Sequence, residues 1–185
     1  EVALRAGRVL LGYLPPVLGS ASRQLEELPD FTFEAGMTVV VQPNVVTRDE
    51  LRQRARTFES VYAYSRFPQG MSLGGAGTGV GADSIYGNVV TVNYFTALGA
   101  VPAAGRLFGA GDSDQPGASP VAVLGHRLWT RRFNRDPAIV GRTLTPNGHP
   151  FTVVGVASEG FHGTGIRALD VWVPMGMVTA VSQGT

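Results

Sequence analysis

The chain contains no cysteine and no lysine. The first absence excludes catalytic thiols, thiolate metal sites and disulfides together, and it is compatible with cytosol or periplasm alike. The second means that all 15 basic residues are arginine, which removes Schiff-base chemistry and the phosphate-gripping lysine of a P-loop. Charge is scarce as well: 16% of residues are charged and the net charge is +1, so no strong field draws nucleic acid or an anionic membrane. No apolar run reaches the roughly 18 to 20 residues that a bilayer span needs. Val9-Leu10-Leu11-Gly12-Tyr13-Leu14 runs into Pro15-Pro16. With Glu1 where an initiating Met would stand, the chain reads as a piece of a longer protein, with any membrane spans outside it.

What is present is material for packing. At 185 residues and 44% hydrophobic, the chain fits one domain, or one with a lobe inserted in it, that buries roughly 70% of its unfolded surface without staples. The 25 Gly and 12 Pro imply many turns and favour a β-rich or α+β architecture. The organising stretch is residues 89–108. Val89 to Val92 has the β-branched composition of a packed strand. Asn93 stands where an N-cap belongs. Tyr94, Phe95 and Leu98 put three large apolar groups into about one turn, and Gly99 suits the left-handed stop. None of these residues does chemistry.

In chain order, residues 21–28 form a weak helical pattern ended by Pro29, and Met37 to Val41 reads as a strand. Thr47-Arg48-Asp49-Glu50 has capping-box spacing and predicts a helix to about Arg56, with Leu51 and Ala55 on one face. A second strand begins at about Ser60, so the segment reads as half of a split βαβ unit. Residues 66–81 read as a flexible loop, containing Phe67-Pro68 and the glycines at 74, 75, 77, 79 and 81. A strand resumes at Asp83. Gly109 to Ser119 reads as a polar linker. Pro120 to Leu124 predicts a strand, and Gly125 to Phe133 a helix with Arg127 and Arg131 outward. Asp136-Pro137 is an N-cap with Pro at N1, starting a turn that ends at Gly141. Asn147-Gly148, between 142–145 and 151–156, predicts a type I′ hairpin. Val171 to Pro174 predicts the last strand.

Candidate chemistry is thin. The glycine run at 74–81 has no G-x-G-x-x-G in register, no P-loop and no amphipathic helix directly after it. His126, His149 and His162 lack metal-site spacing. Asp112 and Asp114 resemble the opening of a calcium loop, but Val123 stands where its closing Glu belongs and Pro116 interrupts; they read as two solvated loop carboxylates. The 14 acids are scattered along the chain and name no glycosidase pair. The arginines at 52, 54 and 56, and at 127, 131 and 132, read as solvated helix faces rather than a nucleic-acid surface. No catalytic, cofactor-binding or metal-ligating residue is therefore assigned.

The pattern from 89 to 174 resembles a known family. Val92-Asn93-Tyr94-Phe95, Leu98-Gly99, Pro102 and Gly105-Arg106-Leu107-Phe108 are similar to the N-Y-F…L-G…P…G-R-x-F run of MacB-like periplasmic core domains. Pro120 to Gly125, Leu128-Trp129, Arg132-Phe133, Asp136-Pro137, Gly141, Asn147-Gly148, Phe151 to Val156, Phe161 and Val171 to Pro174 follow in the expected order and spacing. The resemblance implies an α+β fold with a porter-like βαβ lobe and an inserted mixed β-rich lobe. On this reading residues 1–65 are the porter-like segment, 66–175 the inserted mixed α/β lobe, and 176–185 a truncated return segment. It also implies a non-catalytic periplasmic domain of an ABC-transporter permease of the MacB and FtsX type, needing no cofactor, that couples cytoplasmic ATP hydrolysis to extracytoplasmic movement in export. The implied partners are an ABC ATPase domain or subunit in the cytoplasm, a periplasmic adaptor protein and a second permease copy, with no nucleic acid. The alternative from the residues themselves is an extracytoplasmic small-ligand or peptide binding module with an apolar mouth at 66–81 and 157–169, around Phe67 and Phe161. An enzyme of unrecognised type is the third reading and needs a concave pocket with convergent polar groups.

Overall fold

The structure, a computed structural model, describes residues 9–13, 39–41, 60–65, 68–74, 83–164 and 168–182. The chain divides into two compact units, Glu1–Arg66 and Phe67–Thr185. In the first, strands β1 (Val9–Tyr13), β2 (Val39–Val41) and β3 (Val61–Ser65) run parallel, with β1 in the middle. The strands expected at 37–41 and from Ser60 are present, but β1, which the sequence reading did not identify, lies between them and pairs Val9 with both Val39 and Val61. The helices expected at 21–28 and 47–56 lie outside the described residues.

The second unit is a mixed sheet. Its strands are β4 (Gln69–Leu73), β5 (Asp83–Val90), β6 (Pro102–Gly105), β7 (Val121–Leu124), β8 (Thr143–Leu144), β9 (Phe151–Ala157) and β10 (Val171–Pro174). β4 is antiparallel to β5, β5 parallel to β10, β10 antiparallel to β7, and β7 parallel to β9. β8 and β6 both pair antiparallel with β9, at opposite ends of it. β10 is buried along its whole length, as its continuous apolar run requires of a strand covered on both faces. Part of the segment read as a loop at 66–81 is therefore strand. Met71 and Leu73 alternate with Gly70 and Ser72 and turn inward, the period-2 pattern of a half-buried strand.

Short helices join these strands: α1 (Tyr94–Ala97), α2 (His126–Phe133) and α3 (Val178–Ser182), with 3-10 turns at Pro137–Ile139 and Met175–Met177. α1 stops as expected. Gly99 has φ +64°, its N–H donates to the Thr96 carbonyl at 3.1 Å, and the Ala100 N–H donates to the Phe95 carbonyl at 2.9 Å, which together make a Schellman closure. Its start differs from expectation. The Asn93 side chain caps no amide; its Oδ1 accepts from the Thr91 hydroxyl at 2.8 Å. The strand before it ends at Val90 rather than Val92. Asp136 caps the following 3-10 turn as the Asp-Pro pair suggests, accepting from the Ala138 N–H at 2.9 Å.

Asn147 and Gly148 have φ of 51° and 80°, the left-handed pair that a type I′ turn demands. Asn147 does more than turn the chain. Its Oδ1 accepts from the Ser72 N–H and its Nδ2 donates to the Val181 carbonyl, both at 2.9 Å. One side chain thus ties the hairpin to β4 and to α3.

Alternation along β10 sorts the core into two clusters. Val171 and Val173 join a mainly aliphatic set with Ile85, Leu124 and Leu128, to which Phe151 adds one ring. Trp172 points the other way and is one of four aromatic rings gathered around Phe95. Phe95 lies 5.5 Å from Tyr94, 5.4 Å from Phe108, 5.5 Å from Phe161 and 5.6 Å from Trp172, within the range where edge-to-face pairs add stability beyond burial.

The segment 109–119 is no slack linker. The Arg106 guanidinium holds Asp112 bidentately at 2.6 and 2.9 Å, and the Gly109 N–H donates to the same carboxylate at 3.0 Å. Asp114 accepts from the Val92 N–H at 3.0 Å. The two carboxylates read as solvated are thus structural acceptors, and the Asp112 side chain is only 3% exposed. Burial pushes the Asp112 carboxyl up, but the hydrogen bonds from Arg106 and the Gly109 amide outweigh that and hold its pKa below the ordinary carboxylate value. Since the folded pKa lies below the unfolded one, the stabilisation is complete above about pH 3.9 and is lost as pH falls through the lower folded value. Wild type and Asp112→Asn should therefore differ in urea midpoint at neutral pH and converge below about pH 3.9. A gap that persists unchanged in strong acid would contradict this.

Candidate functional site: a buried carboxylate beneath a cationic cleft

The group that the sequence reading overlooked is Asp170. It directly precedes β10 and is 1% exposed. A carboxylate taken out of water must be paired or hydrogen-bonded, and Asp170 is both. Its Oδ2 accepts from the Tyr86 N–H on β5 at 3.0 Å, while its own N–H donates to the Tyr86 carbonyl at 2.8 Å. These two bonds extend the β5–β10 ladder by one step. Its Oδ1 lies 3.3 Å from the Arg127 Nη2 and 3.7 Å from the Arg131 Nη1. Its carbonyl accepts from the Gly125 N–H at 2.8 Å, where β7 turns into α2. A side chain at Gly125 would collide with the Leu169 carbonyl, so only glycine lets the two segments approach this closely. One residue therefore fastens β5, β10, the β7–α2 junction and the exposed face of α2. The sequence signal was there: a lone Asp flush against the wholly apolar Val171-Trp172-Val173.

Arg127 and Arg131, read as solvated, are four residues apart and share a face of α2; that face lies over Asp170. Arg132, on another face, pairs with Asp83 at 2.6 Å. The arginines at 52, 54 and 56 lie outside the described residues. Above Asp170 opens a cleft of about 420 Å³ lined by Arg127, Arg131, Arg135, His126 and His162. Phe161, Ala168 and Leu169 give it apolar surface, and Glu159 is an acid within it. Asn134 and Arg135 have φ of 47° and 57°, which bends the chain back after α2 and brings the Arg135 guanidinium 5.9 Å from the Trp129 ring centre, a cation–π distance.

The structure brings His126 and His162 to this one cleft and leaves His149 in the hairpin turn. His126 also meets Trp129 edge-on at 5.6 Å. Among the described residues no group of three His, Asp or Glu could hold a metal. Around Phe161, where the loop mouth was expected, apolar surface stands beside the arginines of α2; Phe67 and residues 75–82 lie outside the described residues. Among the described residues no helix is long and apolar enough to cross a membrane.

A family model described as the MacB-like periplasmic core domain matches residues 17–185. The chain belongs to that family. Domains of this family are periplasmic parts of ABC-type transporter permeases in the inner membrane. The periplasmic region of MacB from Actinobacillus actinomycetemcomitans is similar over 68% of this chain and 53% of that one, with a TM-score of 0.51 and 21% identity. The extracellular domain of the ABC-type transporter YknZ from Gram-positive bacteria is similar over 63% of this chain and 56% of that one, with a TM-score of 0.48 and 18% identity. The MacB likeness carries the fold, a mixed α/β architecture; the chain spans about half the length of each of these solved structures. No curated protein matches it.

Proposed function

We propose that this MacB-like domain is a mechanical relay. It performs no reaction itself; a nucleotide-binding domain or subunit in the cytoplasm hydrolyses ATP, and the periplasmic domains of two permease copies move in response to drive export, with an adaptor protein as a further partner. The observation that supports this best is the Asp170 fastening. A relay must move as one piece, and a single buried carboxylate that joins two strands, a strand–helix junction and a helix resists internal slippage, because every displacement strands a buried polar group.

The test uses the full-length permease and its ATPase in lipid vesicles, with paired spin labels on exposed β6 residues of the two copies. The distance distribution should shift between nucleotide-free and vanadate-trapped states. Asp170→Ala should reduce transport several-fold while leaving ATP hydrolysis within about two-fold, since the energy source sits elsewhere. Identical distributions in both states would sink the proposal.

A further inference from the structure

We infer that the cleft over α2 binds an amphipathic organic anion, a carboxylate carried on an apolar body. The inference does not depend on the relay reading; it rests on the cleft's own chemistry. Three guanidiniums reach the cleft, and the carboxylates facing them are Asp170 beneath and Glu159 at the side, so one positive charge is left over. Asp170 is shared between two arginines at long distances, 3.3 and 3.7 Å. Neither pair has the close bidentate geometry that satisfies a guanidinium fork, so both retain donors for a second acceptor. Among the described residues Arg135 has no carboxylate partner. It is held instead against Trp129 and is itself the second of two successive left-handed non-glycine residues, a costly backbone arrangement that fixes where its charge sits.

The cleft's remaining surface points to the other half of the ligand. Phe161, Leu169 and Ala168 contribute apolar area beside the arginines, and Leu169 is 4% exposed, so it is a fixed wall. A volume of about 420 Å³ is within the range of small-molecule sites. Planar guanidiniums prefer planar oxyanions, which they engage through two parallel bonds. A bare inorganic anion would use the charge and waste the wall; a neutral apolar molecule would do the reverse. Glu159 opposes an anion, which makes it a selective probe of the site.

The experiment titrates the ¹⁵N-labelled 185-residue chain with 2-naphthoate, with its neutral analogue 2-naphthalenemethanol and with inorganic phosphate, following backbone amides by NMR. The naphthoate should bind saturably and shift the amides of Thr130, Gly160 and Phe161. The alcohol and phosphate should each bind at least about ten-fold more weakly, because each lacks one half of the recognition. Arg135→Gln should weaken naphthoate about ten-fold, and Glu159→Gln should tighten it about two- to three-fold through the removed repulsion; both positions are exposed, and unchanged spectra elsewhere verify folding. Absence of saturable binding, equal binding by the alcohol or by phosphate, or indifference to both substitutions would overturn the inference. A permease with no nucleotide-dependent movement would defeat the relay and leave this site standing.

Discussion

Trp172→Ala is expected to lower the unfolding free energy of the second unit by about 3–5 kcal/mol, the range for truncating a fully buried aromatic to a methyl. Trp172 is 0% exposed and is the largest fully buried side chain among the described residues. It lies 5.6 Å from Phe95 and 5.5 Å from Phe161, and β10 carries it between β5 and β7, where neither neighbour can collapse inward without shifting the ladder. The cavity would therefore persist, which is the condition for the upper end of the range. Trp172→Phe keeps a ring in the cluster and should cost about half as much or less. Urea unfolding followed through Trp129, the one tryptophan left in the variant, measures both. A loss under about 1 kcal/mol for the alanine variant would show that the aromatic cluster does not carry the core.

Asp170→Ala should be the second largest effect, about 3 kcal/mol, and its origin can be dissected. Arg127 and Arg131 are 57% and 45% exposed at their side chains, so water replaces their partner cheaply, and ion pairs of this kind contribute about 0.2–1 kcal/mol. The Tyr86 N–H is different. It donates to a carboxylate that is 2% exposed, and losing that charged acceptor in a dry site costs about 1–3 kcal/mol. The loss should follow the strand fastening rather than the charge pairs. Arg127→Gln should then cost no more than about 0.5 kcal/mol. If Arg127→Gln proved as damaging as Asp170→Ala in the same urea assay, the ion pairs would be the dominant element and this account would fail.

Local rules were legible wherever one residue type is nearly the sole solution. Asn147-Gly148 announced a turn because few residues accept left-handed φ; Gly99 announced the end of α1, and Asp136-Pro137 the 3-10 turn, for similar reasons. Asn93 looked like a cap and is not one, because the Thr91 hydroxyl two residues earlier claims its oxygen. β4 was concealed by Gly70 and Ser72, weak strand formers in isolation, whose conformation is imposed by pairing with β5 and by Asn147, which is 75 residues away from Ser72 in the chain. β1 was hidden among residues with no clear period, since a strand with parallel neighbours on both sides need not alternate.

The sequence by itself determined the character of this protein: without Cys, Lys or a P-loop, and with the N-Y-F to G-R-x-F run, it is a packed α+β domain whose family is readable from order and spacing. Only the tertiary structure decided what its charges do. Asp170 and Arg127 are 43 residues apart, and Asp170 and Tyr86 are 84 apart; no local pattern reports such pairs, because charge partners are chosen by which strands lie side by side and that choice is made by burial over the whole sheet.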